Sequence, residues 1–226
     1  YDDMLCLGKD ERIQLLDGTA PTIEELAKRF DKSDNSIGTD VGMWVWSTDE
    51  RGDPVPSKLL NAWQTKVVNE LYHVTLDNGH VIRCTGNHPL LCRDNVYRRA
   101  DELTVGQSLM PVYRKLSSKK ERDFQNGYEK VFKNSTGDWV YAHRLVAEKC
   151  NIQSHVQPCP EGAVVIHHID HNKRNNTPTN LVKMDKRQHV LYHATQAQNL
   201  LTKESRDSLR EVMKTDEYKK KLHNGV

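Results

Sequence analysis

The stretch Val164–His193 reads VVIHHIDHNKRNNTPTNLVKMDKRQHVLYH, and its pattern decides how the rest of the chain is read. An apolar run, Ala163-Val164-Val165-Ile166, predicts a short strand that ends on the doubled histidine His167-His168. A polar, turn-rich segment from Asp170 to Thr179 follows, and Asn180 then precedes a second apolar pair, Leu181-Val182. From Asp185 to about Gln198 the spacing predicts a helix, which places His189 and His193 four residues apart on one face. A strand–loop–strand–helix unit of this kind can bring three imidazoles, His167, His189 and His193, onto one metal ion. His168 is then left beside the ligands with a ring nitrogen available to accept a proton near neutral pH.

This order resembles the HNH (ββα-metal) nuclease family, residue by residue. His167, His189 and His193 match the metal-ligand positions, His168 the general base, and Asn180 the asparagine that orients that base. The run Asn172-Lys173-Arg174-Asn175-Asn176 with Asn180-Leu181 looks most like the homing-endonuclease branch. His171 stands where that branch usually has glycine, and its reading is that it shapes the turn. The resemblance implies one divalent metal ion, with magnesium, manganese and zinc all open, although three imidazoles suit a transition metal better. It also implies double-stranded DNA as partner, with Arg144, Lys173 and Arg174 as contacts. Arg206, Arg210 and Lys214 lie on a basic helical tail running from Leu200 to Val226, read from its charge as a DNA-contacting arm or as a solvated surface helix.

The other end of the chain carries a different chemistry. Cys6-Leu7-Gly8 opens it, and Asp17-Gly18 predicts a turn. Thr22 to Phe30 predicts a short helix with Thr22 as its cap and Glu25 at the capping-box position. From Gly42 to Arg83 the pattern is β-like, with Asp77-Asn78-Gly79-His80 as a hairpin turn into Val81–Cys84. Thr85-Gly86-Asn87-His88 breaks that strand, and a turn-like passage from Ala100 to Gly106 comes after it.

These blocks resemble the N-terminal part of a Hint (hedgehog/intein) domain. Cys6 stands where the nucleophile opens an intein, Thr85 to His88 fits the T-x-x-H block, and Ala100 to Gly106 fits A-x-x-L-x-x-G. The resemblance implies that the Cys6 thiol attacks the carbonyl of Leu5, turning an amide into a thioester. His88 would protonate the departing nitrogen, and Thr85 and Asn87 would supply oxyanion donors. The downstream splicing block should end in His-Asn. Leu222-His223-Asn224 offers that dipeptide behind three lysines instead of an apolar strand, so the downstream block is read as truncated, lost, or carried on a separate C-terminal Hint half as partner.

Between the two, Gly127 to Tyr141 predicts a hairpin turning at Asn134 to Asp138, and Ala142 to Cys150 a helix in which His143 caps or packs. Net charge is +2, but residues 1–110 carry 12 Lys+Arg against 18 Asp+Glu and residues 111–226 carry 21 against 13. That break suggests two domains meeting near Pro111–Lys120, the second with a nucleic-acid footprint. The five cysteines (Cys6, Cys84, Cys92, Cys150, Cys159) form no C-x-x-C pair, which favours reduced thiols and, with no signal peptide and no run of about 20 apolar residues, a cytoplasmic location in a bacterial or phage-infected cell. The fold expected is α+β: residues 1–113 a mainly-β Hint-like segment, 114–199 a small ββα-metal nuclease domain, and 200–226 a helical tail. The function expected first is a metal-dependent homing endonuclease carried in an intein-derived element. The alternative is Hint self-processing through a Cys6 N-to-S acyl shift.

Overall fold

The computed structural model describes residues 5–31, 42–119, 126–155 and 163–200. Strands outnumber helices throughout. The elements run α1 (Ile23–Asp31), β1 (Trp44–Thr48), β2 (Pro54–Lys58), β3 (Tyr72–Thr75), β4 (Val81–Cys84), β5 (Pro89–Leu91), β6 (Tyr97–Arg99), β7 (Arg114–Leu116), β8 (Glu129–Lys133) and β9 (Asp138–Tyr141). Then come α2 (Ala142–Lys149), β10 (Gln153–Ser154), β11 (Val164–His168), β12 (Leu181–Asp185) and α3 (Lys186–Leu200). The chain divides into two units, one made of Tyr1–Gln153 with His168–Val182, the other of Ser154–His167 with Lys183–Val226.

In the first unit, antiparallel pairs β1–β2, β3–β4 and β5–β6 accompany a three-stranded sheet of order β7–β8–β9. Local chemistry accounts for the helix start and the tightest turn. Thr22 Oγ1 accepts from the Glu25 amide (3.1 Å) and Glu25 accepts from the Thr22 amide (2.8 Å), the reciprocal capping box the sequence predicts for α1. Between β3 and β4, Gly79 takes φ 82°, the left-handed region that the Asn-Gly turn needs, and Leu76 donates to His80 O at 2.8 Å. Within the β-like run from Gly42 to Arg83, β3 is only four residues long, and Val67, Val68 and Glu70 ahead of it face solvent.

The core is apolar where the periodicity says it should be. Leu15, Leu16, Leu26, Val131, Leu145 and Val146 are all buried. Val131 points inward from the middle of β8 and meets Ala142 and Leu145 of α2, with Trp46 and Val140 at the edge of the cluster. The turn joining β1 and β2 is tied to the turn joining β8 and β9 by a carboxylate. Asp53 accepts from the Ser135 amide at 2.8 Å and from its hydroxyl. Burial opposes charge on Asp53, but the Ser135 hydrogen bonds outweigh it, and its carboxyl sits below the ordinary range.

Hydrogen bonds tie distant segments together within each unit. The loop after the double histidine returns to the N-terminal segment: the Asn176 amide donates to Leu16 O at 2.6 Å, and Lys173 Nζ donates to Asn126 O at 3.4 Å. Residues 168–182 thus belong with the first unit. In the second unit, His155 donates to Lys183 O at 2.9 Å and Lys186 donates to Ala163 O at 3.0 Å, and α3 runs on from there. No disulfide joins the four described cysteines. Among the described residues, no helix is long and apolar enough to cross a membrane. Cys159, the tail beyond Leu200 with Arg206, Arg210 and Lys214, and the dipeptide His223-Asn224 lie outside the described residues.

Candidate active site and metal centre

The Cys6 corner is built by a continuation of β4. Leu7 bridges to Cys84 and the Gly8 amide donates to Arg83 O at 2.7 Å, so residues 6–8 run alongside the strand that ends just before Thr85. A Cβ on Gly8 would lie 3.2 Å from that of Arg83, tighter than most side chains tolerate. Two hydrogen bonds then clasp the residue of interest: the Thr85 amide donates to Cys6 O at 2.9 Å, and the Cys6 amide donates to Thr85 Oγ1 at 3.1 Å. The Cys6 amide nitrogen is the atom that would leave in an acyl shift, and a buried hydroxyl already sits on it. Thr85 in turn donates to Asn87 Oδ1 at 2.7 Å, which fixes the hydroxyl's orientation. On the other side, Cys6 Sγ lies 2.8 Å from Thr65 Oγ1.

The turn carrying these groups is tight. The His88 amide donates to Thr85 O (3.0 Å) and the Asp101 amide to Gly86 O (2.9 Å). A Cβ on Gly86 would lie 2.8 Å from the Tyr72 ring and 2.9 Å from Asp101, so only glycine fits between them. His88 keeps Nδ1 buried without a hydrogen-bond partner among the described residues. Burial lowers its pKa, so the ring is neutral at neutral pH and a stronger acid once protonated. A group with those properties can take up a proton and release it again within one reaction.

In the second unit, His167 at the end of β11 meets His189 and His193 on α3. One ring nitrogen from each lies within 4.8 Å of the others, and Nε2 of His189 is 3.1 Å from Nε2 of His193. Tetrahedral ligation at about 2.0–2.1 Å needs nitrogens roughly 3.3 Å apart, so this donor set fits a zinc-like ion after small side-chain movements. Burial, and then the neighbouring His193, lower the pKa of His189, which favours the neutral form that a metal requires.

His168 lies in a different environment, within the first unit. It is buried, its Nε2 is 3.3 Å from Asn176 Oδ1, and its ring packs against His143 and Tyr128. Burial lowers its pKa, against the opposing effect of the hydrogen bond to Asn176 Oδ1. Sequence reasoning placed Asn180 on this ring. Asn180 instead holds the turn: its Nδ2 donates to Asp170 Oδ1 (2.8 Å) and Asn175 O (2.9 Å), and its Oδ1 accepts from the Asp170 amide (3.0 Å). Asn176, fully buried and also donating to Glu129 (3.0 Å), was missed; the paired Asn175-Asn176 was its only signal in the sequence. His171 takes φ 61°, the left-handed conformation for which glycine is the easier choice, in keeping with its reading as a turn residue. Arg144 stacks over Tyr141 and Lys173 over Tyr128, while Arg174 closes against Gly18.

A β-rich fold with a cysteine clasped at a strand end by a T-x-x-H turn defines a self-processing class of domain. The family model described as the intein splicing domain matches residues 13–219, and this chain belongs to that family. A DNA gyrase polypeptide, the B component of that enzyme in Synechocystis sp. (strain PCC 6803), is 29% identical over 225 residues, 96% of this chain and 20% of that protein. The chain thus spans about a fifth of the length of the curated relative it matches. Among solved structures, a G-1F mutant of an Ssp DnaB mini-intein variant is 24% identical, covering 51% of this chain and 65% of that one, with a TM-score of 0.39. A DnaB intein from Synechocystis sp. PCC 6803 is 19% identical, with 61% and 93% covered and a TM-score of 0.36.

These findings overturn the endonuclease as the function of the chain, and with it the enzyme class expected. The splicing-domain match runs through the whole stretch read as nuclease, residues 114–199, and the gyrase relative is not described as a nuclease. The HNH spacing misled because it registers ligand geometry alone. Three histidines that converge could hold a metal ion, and a set of ligands is not by itself a phosphodiesterase.

Proposed function

We propose that the chain carries out the opening step of protein splicing, an N-to-S acyl shift at the Leu5–Cys6 peptide bond. The observation that supports it most directly is the pair of hydrogen bonds between Cys6 and Thr85, which places a hydroxyl 3.1 Å from the nitrogen that must leave. The step balances simply. The Cys6 sulfur forms a bond to the Leu5 carbonyl carbon, the carbon–nitrogen bond breaks, and the thiol proton ends on the nitrogen, giving a thioester and a free amine. His88, neutral and lacking a partner on Nδ1 among the described residues, fits the carrier of that proton. Thr85 and Asn87, linked by their own hydrogen bond, keep the departing nitrogen in place as the oxyanion forms. A downstream Hint block ending in His-Asn is required to finish splicing, and such a block is the partner we propose.

The test is a reporter protein fused upstream of Leu5, incubated with excess dithiothreitol and followed by mass spectrometry. The expected outcome is a reporter released as its thiol ester, with release lost in Cys6→Ala. A reporter that stays intact in the native sequence, or release that survives Cys6→Ala, would sink the reading.

His167, His189 and His193 would hold one divalent ion of the transition-metal kind in this reading. There the three rings would brace the end of β11 against α3, a stabilising role apart from the acyl shift.

A further inference from the structure

On the splicing reading above, one side of the reacting bond has an assigned hydroxyl and the other does not. Thr85 Oγ1 lies on the nitrogen that leaves, 3.1 Å away. Thr65 Oγ1 lies 2.8 Å from the sulfur that attacks, and no motif points to it. We propose that Thr65 is a further catalytic residue of the acyl shift, whose hydroxyl accepts from the Cys6 thiol and then donates to the thiolate that replaces it.

The surroundings of Thr65 argue for a purpose. It sits in the strandless run between β2 and β3, where Leu60, Trp63 and Val67 all face solvent. From Trp63 to Glu70, Thr65 is the one residue that is not exposed, because its side chain turns inward to the sulfur. A threonine is suited to this position. Its hydroxyl both accepts and donates, so the same contact serves the thiol before proton loss and the thiolate after it. Its β-branch restricts χ1, so the oxygen stays on the sulfur at little entropic cost. A hydrogen bond to a charged acceptor is about twice as strong as one to a neutral acceptor, so the contact tightens as the nucleophile forms. Thr65 and Thr85 together hold the two ends of a rearrangement in which one bond forms as the other breaks.

The experiment compares native protein with Thr65→Val, which keeps the shape and removes the hydroxyl, and Thr65→Ser, which restores it. Alkylation of Cys6 by iodoacetamide, read by peptide mapping so that Cys84, Cys92, Cys150 and Cys159 are counted apart, is followed from pH 6 to 10. Dithiothreitol-induced release of an upstream reporter is measured over the same range. In Thr65→Val both rates should fall about tenfold near pH 7, with the pH profile displaced to higher pH, and Thr65→Ser should return within about twofold of native. Circular dichroism confirms that the variants are folded. Superimposable alkylation profiles for native and Thr65→Val would overturn the assignment of Thr65. Failure of the splicing reading is a different result: no reporter release in the native protein, with alkylation of Cys6 still dependent on Thr65.

Discussion

The two ends of this chain assemble reactive side chains in opposite ways. The three histidines come from one short stretch, two of them a single helical turn apart, and their chemistry is announced by spacing. The Cys6 corner draws on residues 6, 65, 85, 87 and 88, joined by hydrogen bonds that cross as many as 79 positions of sequence. The compact motif is the easier to notice, and it led to the wrong activity. A local constellation says which ligand can be held; the reaction belongs to whatever scissile bond the fold presents, and on the proposed reading that is the Leu5–Cys6 amide.

Removing the proton carrier tests that contrast most severely. His88→Ala should slow thiol-induced release at Leu5–Cys6 by about 10²- to 10⁴-fold, the usual worth of a general acid or base. The fold should survive, since the ring makes no hydrogen bond through Nδ1 among the described residues. A rate within threefold of native, measured by mass spectrometry under excess dithiothreitol, would remove the difference between the two regions.

Acid stability comes next in size, and it separates the buried histidines of the first unit from those that share a helical face. Burial, then the neighbouring His168 and Arg144, push His143 down to about 3. The folded protein therefore binds fewer protons than the unfolded chain between the ordinary histidine value of about 6.5 and 3, so stability is present above that window and falls as pH drops through it. The slope from this one group is about 1.4 kcal/mol per pH unit. His143→Phe should flatten urea-unfolding stability between about pH 6 and 4. An unchanged slope would mean that His143 is not the group being titrated.

The smallest effect concerns the metal. Zinc at about 100 times its dissociation constant should stabilise the fold by about 2.7 kcal/mol, seen as a raised Tm that His189→Ala and His193→Ala abolish. Reporter release in a metal chelator should match that in buffer alone, because the proposed acyl shift uses none of the three imidazoles. Loss of release in chelator would join the two regions into one mechanism.

Much of the local structure was legible. Thr22 and Glu25 announced the capping box, Asn78-Gly79 the hairpin turn, Asn134 to Asp138 the β8–β9 turn, and the four-residue spacing of His189 and His193 their shared helical face. The long-range choices were not. Nothing in the sequence near Asn176 reveals that its amide will reach Leu16, and that contact is what draws residues 168–182 into the first unit. Asn180 was read as a partner for His168 because a motif stood in for geometry, whereas an asparagine near Asp170 is as readily used to close a turn.

The amino-acid sequence determined which chemical groups this protein owns and which of them share a strand end or a helical face, since backbone periodicity sets those relations over a few residues. Tertiary structure alone decided which hydroxyl reaches the Cys6 sulfur, which asparagine reaches His168 and which amide nitrogen lies beside Thr85. Those meetings depend on closing loops of tens of residues, and the buried core, not local propensity, supplies the free energy for that.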